Sequence, residues 1–139
     1  MGKALVIKSA DFASIAVSMS DIVYDKILTT EELHTGTLPK YSNASTGALA
    51  SGTNVEHKIV NVEGYSKIIV SGYYGSHIGA FYNSKDVIGT STFVSCNGAL
   101  NKSGDGTISG RIVNVPEGAV VVSINIRTNK SDQTLELKK

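Results

Sequence analysis

The run AVVVSINIR, Ala119 to Arg127, sets Val120, Val122, Ile124 and Ile126 on one side of an extended chain and Val121, Ser123, Asn125 and Arg127 on the other. A period of two fits a strand and no helix. The expectation is a half-buried strand with its Val/Ile side in the core. What leads into the run narrows the choice further. IVNVPEG (112–118) precedes it, and nearly the same phrase, IVNVEG (59–64), precedes a second β-branched run, YSKIIVSG (65–72). Each copy reads as a strand, a turn and a re-entering strand. Pro116 is expected to preset the turn backbone and Gly118 to give it freedom. Neither copy holds a catalytic pattern, so the repeat reads as architecture.

The same grammar runs along most of the chain. Short strands are expected at KALVIK (3–8), HKIVNV (57–62), KIIVSG (67–72), HIGAFYN (77–83), TISGRIVNV (107–115) and QTLELK (133–138). Gly75 in YYGS is expected to turn the chain between the third and fourth of these, and NKSGDG (101–106) is turn chemistry. Ser18 to Gly36 resists the pattern; a strand followed by one helical turn, capped by Thr30, fits it better than a long helix. Residues 35–55 are rich in Ser, Thr, Gly, Asn and Ala and read as a long surface loop or irregular edge. Many short strands between Gly/Asn/Ser turns indicate an all-β fold, an antiparallel β-sandwich of jelly-roll type. The expected organisation is an N-terminal strand or arm (1–17), an irregular connection (18–54) and the sandwich (55–139), with 18–54 joining the sandwich in one compact domain.

Composition closes several other routes. The chain of 139 residues is long enough for one real core. Thirteen Lys and Arg stand against twelve Asp and Glu, a net charge of +1 without a basic cluster, which speaks against nucleic acid as a partner. The single cysteine, Cys96, leaves no internal disulfide, so packing alone must hold the domain. ALVI (4–7) is too short for a signal peptide, and no segment approaches the roughly 20 apolar residues of a membrane span. Folding in a reducing cytoplasm is the expectation, with no membrane partner.

Three segments carry a resemblance: HKIVNVEGYSKIIVSG, IGAFYNSKDVIG and RIVNVPEGAVVVSINI. Residues 54–137 resemble small jelly-roll domains found on bacterial polysaccharide-processing proteins and on phage tail or fibre proteins. The opening GKALVIKSADFAS looks like the start of short virion proteins of phages that infect gut Bacteroides-type bacteria. The resemblance implies a virion component folded in the host cytoplasm, with other virion proteins as partners and a homo-oligomeric state. It implies no catalytic residues. Met1 and the missing export signal favour this reading over its alternative, a carbohydrate-binding module of a bacterial polysaccharide-processing system.

Candidate chemistry is sparse. His34, His57 and His77 lie in separate segments without metal-ligand spacing and read as surface or strand-edge residues. Cys96 reads as a structural thiol, and SGDGT (103–107) lacks the lysine and helix of a phosphate loop. Calcium at NKSGDG would rest on Asp105 alone, and the three Asn-X-Ser sequences read as chance. No metal or other cofactor is expected. The scattered carboxylates suggest no glycosidase pair, and the chain reads as a non-enzyme. Sugar contact is the candidate that remains. It needs an aromatic face ringed by polar groups, and with tryptophan absent the candidates are Tyr41, Tyr73, Tyr74 and Tyr82. Tyr73 and Tyr74 are adjacent, so on a strand one faces the core and the other stays exposed. At the N-terminus, residues 1–17 have two readings. They form an attachment arm that buries Leu5, Ile7 and Phe12 against a partner subunit, or 3–8 is an edge strand of the domain's own sandwich.

Overall fold

A computed structural model describes residues 23–90 and 92–139. KALVIK and the arm candidates Leu5, Ile7 and Phe12 lie outside the described residues. The rest is all-β, with antiparallel sheets packed face to face. One sheet has four strands: β1 (Lys26–Leu28), β11 (Thr134–Lys138), β6 (Lys67–Tyr74) and β9 (Gly106–Asn114), in that spatial order. The other has five: β2 (Leu38–Pro39), β5 (Val55–Asn61), β10 (Val121–Arg127), β7 (Gly79–Tyr82) and β8 (Phe93–Val94). A ribbon of β3 (Tyr41–Ser42) and β4 (Leu49–Ala50) makes a third, small sheet.

The repeated phrase builds two arches that pass between the sheets in opposite directions. The first copy ends β5 in the five-stranded sheet and enters β6 in the four-stranded one; the second ends β9 and enters β10, the reverse crossing. β5 pairs with β10 and β6 pairs with β9, so the arches stack side by side. Their turns match in geometry. Tyr65 N–H donates to the Val62 carbonyl (3.1 Å) and Ala119 N–H to the Pro116 carbonyl (3.1 Å), each closing over a Glu-Gly pair. Gly64 has a φ of +87° and Gly118 a φ of +85°. Both are left-handed, as the third position of a type II turn requires. Pro116 therefore stands at the first position of its turn, ahead of the central pair that it was expected to shape. Two identical devices, one in each direction, explain why the phrase occurs twice.

The core lies between the two large sheets. Ile68, Val70, Val113, Leu135 and Leu137 face Val60, Val122, Ile124, Ile126 and Phe81, all buried. Each such side chain contributes roughly 1.5–3 kcal/mol by leaving water. β6 and β11 alternate buried and less buried residues as half-covered strands do. β10 does not. It lies between β5 and β7, and Val121, Ser123 and Asn125 are buried along with Val122, Ile124 and Ile126. The half-buried expectation is corrected because a further layer covers its second face: the β3–β4 ribbon over Ser123 and Asn125, and Phe93, Val87 and Ile88 beside Val121.

Other local expectations shift in smaller ways. Lys26–Leu28 is a strand, and one helical turn, α1 (Thr30–Leu33), follows it, but the cap is Thr29, in a reciprocal capping box with Glu32. Gly75 does not close a hairpin; the chain leaves the four-stranded sheet at Tyr74 and joins the other at Gly79. Residues 35–55 contain three short strands besides the start of β5, and bury Ser42 and Ala44.

Candidate functional site

The sandwich has two unlike ends. The Glu-Gly turns close one. At the other, β6, β9 and β10 contribute Tyr74, Asp105 (one residue before β9) and Arg127 to the lining of a cup of about 330 Å³, joined by Tyr41 and His77.

The cup is built on buried hydrogen bonds. Asn125, on the ribbon side of β10, accepts at Oδ1 from Ser42 N–H (2.8 Å) and Ser42 Oγ (3.0 Å). Its Nδ2 donates to the carbonyls of Ser42 (2.9 Å) and His77 (2.8 Å). One amide thus holds the ribbon and the segment before β7 to the central strand. Gln133, wholly buried, does the same between the sheets: Nε2 donates to the carbonyls of Asn125 (3.0 Å) and Tyr73 (3.1 Å), and Oε1 accepts from Arg127 N–H (2.9 Å). Buried polar groups satisfied this fully hold their neighbours in one arrangement.

On that frame stand the side chains of the cup. The ring of Tyr41 stacks on His77, centroids 5.7 Å apart and planes 19° from parallel. Ala44 N–H donates to His77 Nδ1 (3.0 Å). The neutral ring therefore carries its proton on Nε2. Burial lowers the His77 pKa below the ordinary histidine value. Arg127 Nη2 lies 3.5 Å from Asp105 Oδ1, the arginine side chain 23% exposed and the aspartate 59%. Outside the cup, Arg127 and Lys130 both approach the Tyr73 ring, at 5.7 and 4.5 Å from its centroid, within cation–π reach. Tyr74 is wholly buried, and among the described residues its Oη has no hydrogen-bond partner. Gln133 comes near the phenol, but its own bonds go to Tyr73, Asn125 and Arg127. Burial raises the phenol pKa well above its ordinary value, which Gln133 only partly offsets and Asp132 reinforces; Tyr74 is a neutral donor.

The four tyrosine candidates therefore separate. Tyr41 and Tyr73 keep partly accessible rings at the cup end, and Tyr74 lines the cup but has no ring face to offer. Tyr82 is corrected outright as a stacking candidate. It is buried near the opposite end among Ala80 and Val121, with its hydroxyl bonded to the Gly47 carbonyl, and burial raises its pKa. Of the histidines, His57 is buried in β5 with Nδ1 bonded to the Lys40 carbonyl (3.0 Å), not placed at the surface. Sequence reasoning does not single out His77, Asp105, Asn125 and Arg127 as one site. Their one local signal was the closeness of His77 to the Tyr73–Tyr74 pair.

A larger open groove, about 960 Å³, runs between β1 and β5, with Leu28, Val60 and Leu137 in its walls. Among the described residues no group of three or more His, Cys, Asp and Glu is placed to hold a metal ion, and no helix is long and apolar enough to cross a membrane. Cys96 is half-buried against the core. Compared with family models, with curated proteins and with solved structures, the chain matches none.

Proposed function

We propose that this chain is a non-catalytic virion protein of a phage, a jelly-roll β-sandwich displayed on the particle, and that its cup end is the surface offered to host glycans. The observation that carries the glycan contact is the juxtaposition of an accessible tyrosine ring, Tyr41 on His77, with the charged pair Arg127–Asp105. An aromatic face beside fixed donors and acceptors is what a sugar requires. Among the described residues the one carboxylate lining the cup is Asp105, engaged by Arg127, where a glycosidase uses two. The virion assignment is supported by the three sandwich phrases and the opening GKALVIKSADFAS. On a symmetric particle, many copies make weak single contacts effective together.

Two measurements test this. Mass spectrometry of purified particles should contain the chain at a stoichiometry of many copies; its absence from particles contradicts the virion assignment. On a glycan array, binding should fall when Tyr41 or Tyr73 is changed to alanine; signal that survives both changes contradicts the site. The cup by itself serves equally in a carbohydrate-binding module of a polysaccharide-processing system. That second reading takes over if the glycan signal is found and the particle signal is not.

A further inference from the structure

We infer that the cup binds a neutral sugar through two neighbouring hydroxyls held between Asp105 and Arg127. The inference rests on the glycan-contact reading and narrows it to a ligand class. The guanidinium and the carboxylate lie side by side, Nη2 to Oδ1 3.5 Å, so an ionised donor and an ionised acceptor face the same space. A hydroxyl both donates and accepts. One of a vicinal pair can give its proton to Asp105 while its neighbour accepts from Arg127, and both bonds are charge-assisted. A carboxylated sugar fits poorly. Its anion would have to take Arg127 from Asp105, leaving two carboxylates competing for one cation. Phosphorylated and sulfated sugars meet the same objection.

Three further features suit this ligand. A methyl group on Gly75 would meet Arg127 Nη2 and Asp105 Oδ1, so the bare backbone there leaves room for both side-chain ends. The Tyr41 ring offers apolar surface for the C–H face of a pyranose, and its stacking on His77 holds it in place. The cup encloses about 330 Å³. That is near the low end of small-ligand pockets, a size for a terminal monosaccharide rather than an enclosed oligosaccharide.

The test is a titration of the full chain, by calorimetry or NMR, with the methyl glycosides of glucose, galactose, mannose and glucuronic acid. At least one neutral hexoside should bind, and the glucuronide should bind more weakly than that hexoside. Asp105→Asn should weaken the neutral hexoside roughly tenfold to a hundredfold, the effect of losing one charge-assisted hydrogen bond. A glucuronide that binds more tightly, or hexoside binding untouched by Asp105→Asn, overturns the inference. Asp105 has an exposed side chain, so its variant keeps the test decisive even if changes at Arg127 impair folding. Should none of the four glycosides bind while array binding still depends on Tyr41 or Tyr73, the diol assignment fails and the glycan reading stands. If both are silent, both fail.

Discussion

The two ends of the sandwich are held by different physics. At the arch end, two short local phrases do the work: a β-branched strand, a Glu-Gly turn with its glycine at positive φ, and a return into the opposite sheet. Everything needed lies within a dozen residues, and the same solution appears in both directions. At the cup end the chain is held by side-chain amides acting across long sequence separations, Asn125 on Ser42 and His77, Gln133 on Tyr73. The first arrangement is redundant and offers little for a ligand to grip. The second is a network in which each member has several partners, and it places an ionised pair beside a hollow.

On that contrast, the cup end should break most severely at single positions. Asn125→Leu leaves Ser42 N–H and the His77 carbonyl buried without partners and should cost about 3–5 kcal/mol in chemical denaturation. A loss below about 1 kcal/mol, no more than one ordinary hydrogen bond, would mean that Asn125 is not the clamp. At the arch end the two copies should differ from each other. Among the described residues nothing lies within 4 Å of a methyl group on Gly118. Gly118→Ala should therefore cost about 1–2 kcal/mol through its positive φ alone. At Gly64 the φ penalty is the same, and an added methyl would stand 2.8 Å from Val23 Cγ2. Crowding of that kind should add about 1 kcal/mol to the cost of Gly64→Ala. Equal costs would show that Val23 yields freely.

The smallest effect is on pH. His77 has a lowered pKa in the folded chain. As pH falls through about 6.5, the unfolded state therefore takes up its proton first. Stability from this group is complete above that point and is lost as pH drops toward the folded value. Protonation also removes the acceptor for Ala44 N–H. Asp105 and Arg127, the charged groups that share the cup with His77, are paired with each other. Melting temperature should therefore decline more steeply between pH 6.5 and 5 in the natural chain than in His77→Asn. Parallel slopes would remove His77 as the cause.

The arch end was legible in the sequence because its signals are local. Period-two runs, the duplicated IVNV phrase and the Glu-Gly turns announce themselves within a short window, and the all-β class and most strand positions follow. The burial of both faces of β10 was not legible. Ser123 and Asn125 look like solvent-facing residues until the ribbon at 41–50 folds over them, and nothing in AVVVSINIR encodes that cover. The cup was hidden for the same reason. Tyr41, His77, Asp105 and Arg127 come from four separate segments, and only the stacking of two arches and a ribbon brings them together. Tyrosine identity suggested four candidates; burial, which depends on tertiary packing, left Tyr41 and Tyr73 with accessible rings.

The most direct measurement is a two-dimensional amide NMR titration of the full chain with the neutral methyl hexosides, assigned residue by residue. Shifts should concentrate on Tyr41, Tyr74 to His77, Asp105 and Arg127, while Glu63 to Tyr65 and Glu117 to Ala119 stay still. Shifts centred on the arch turns, or an even scatter over both ends, would contradict the assignment of ligand contact to the cup.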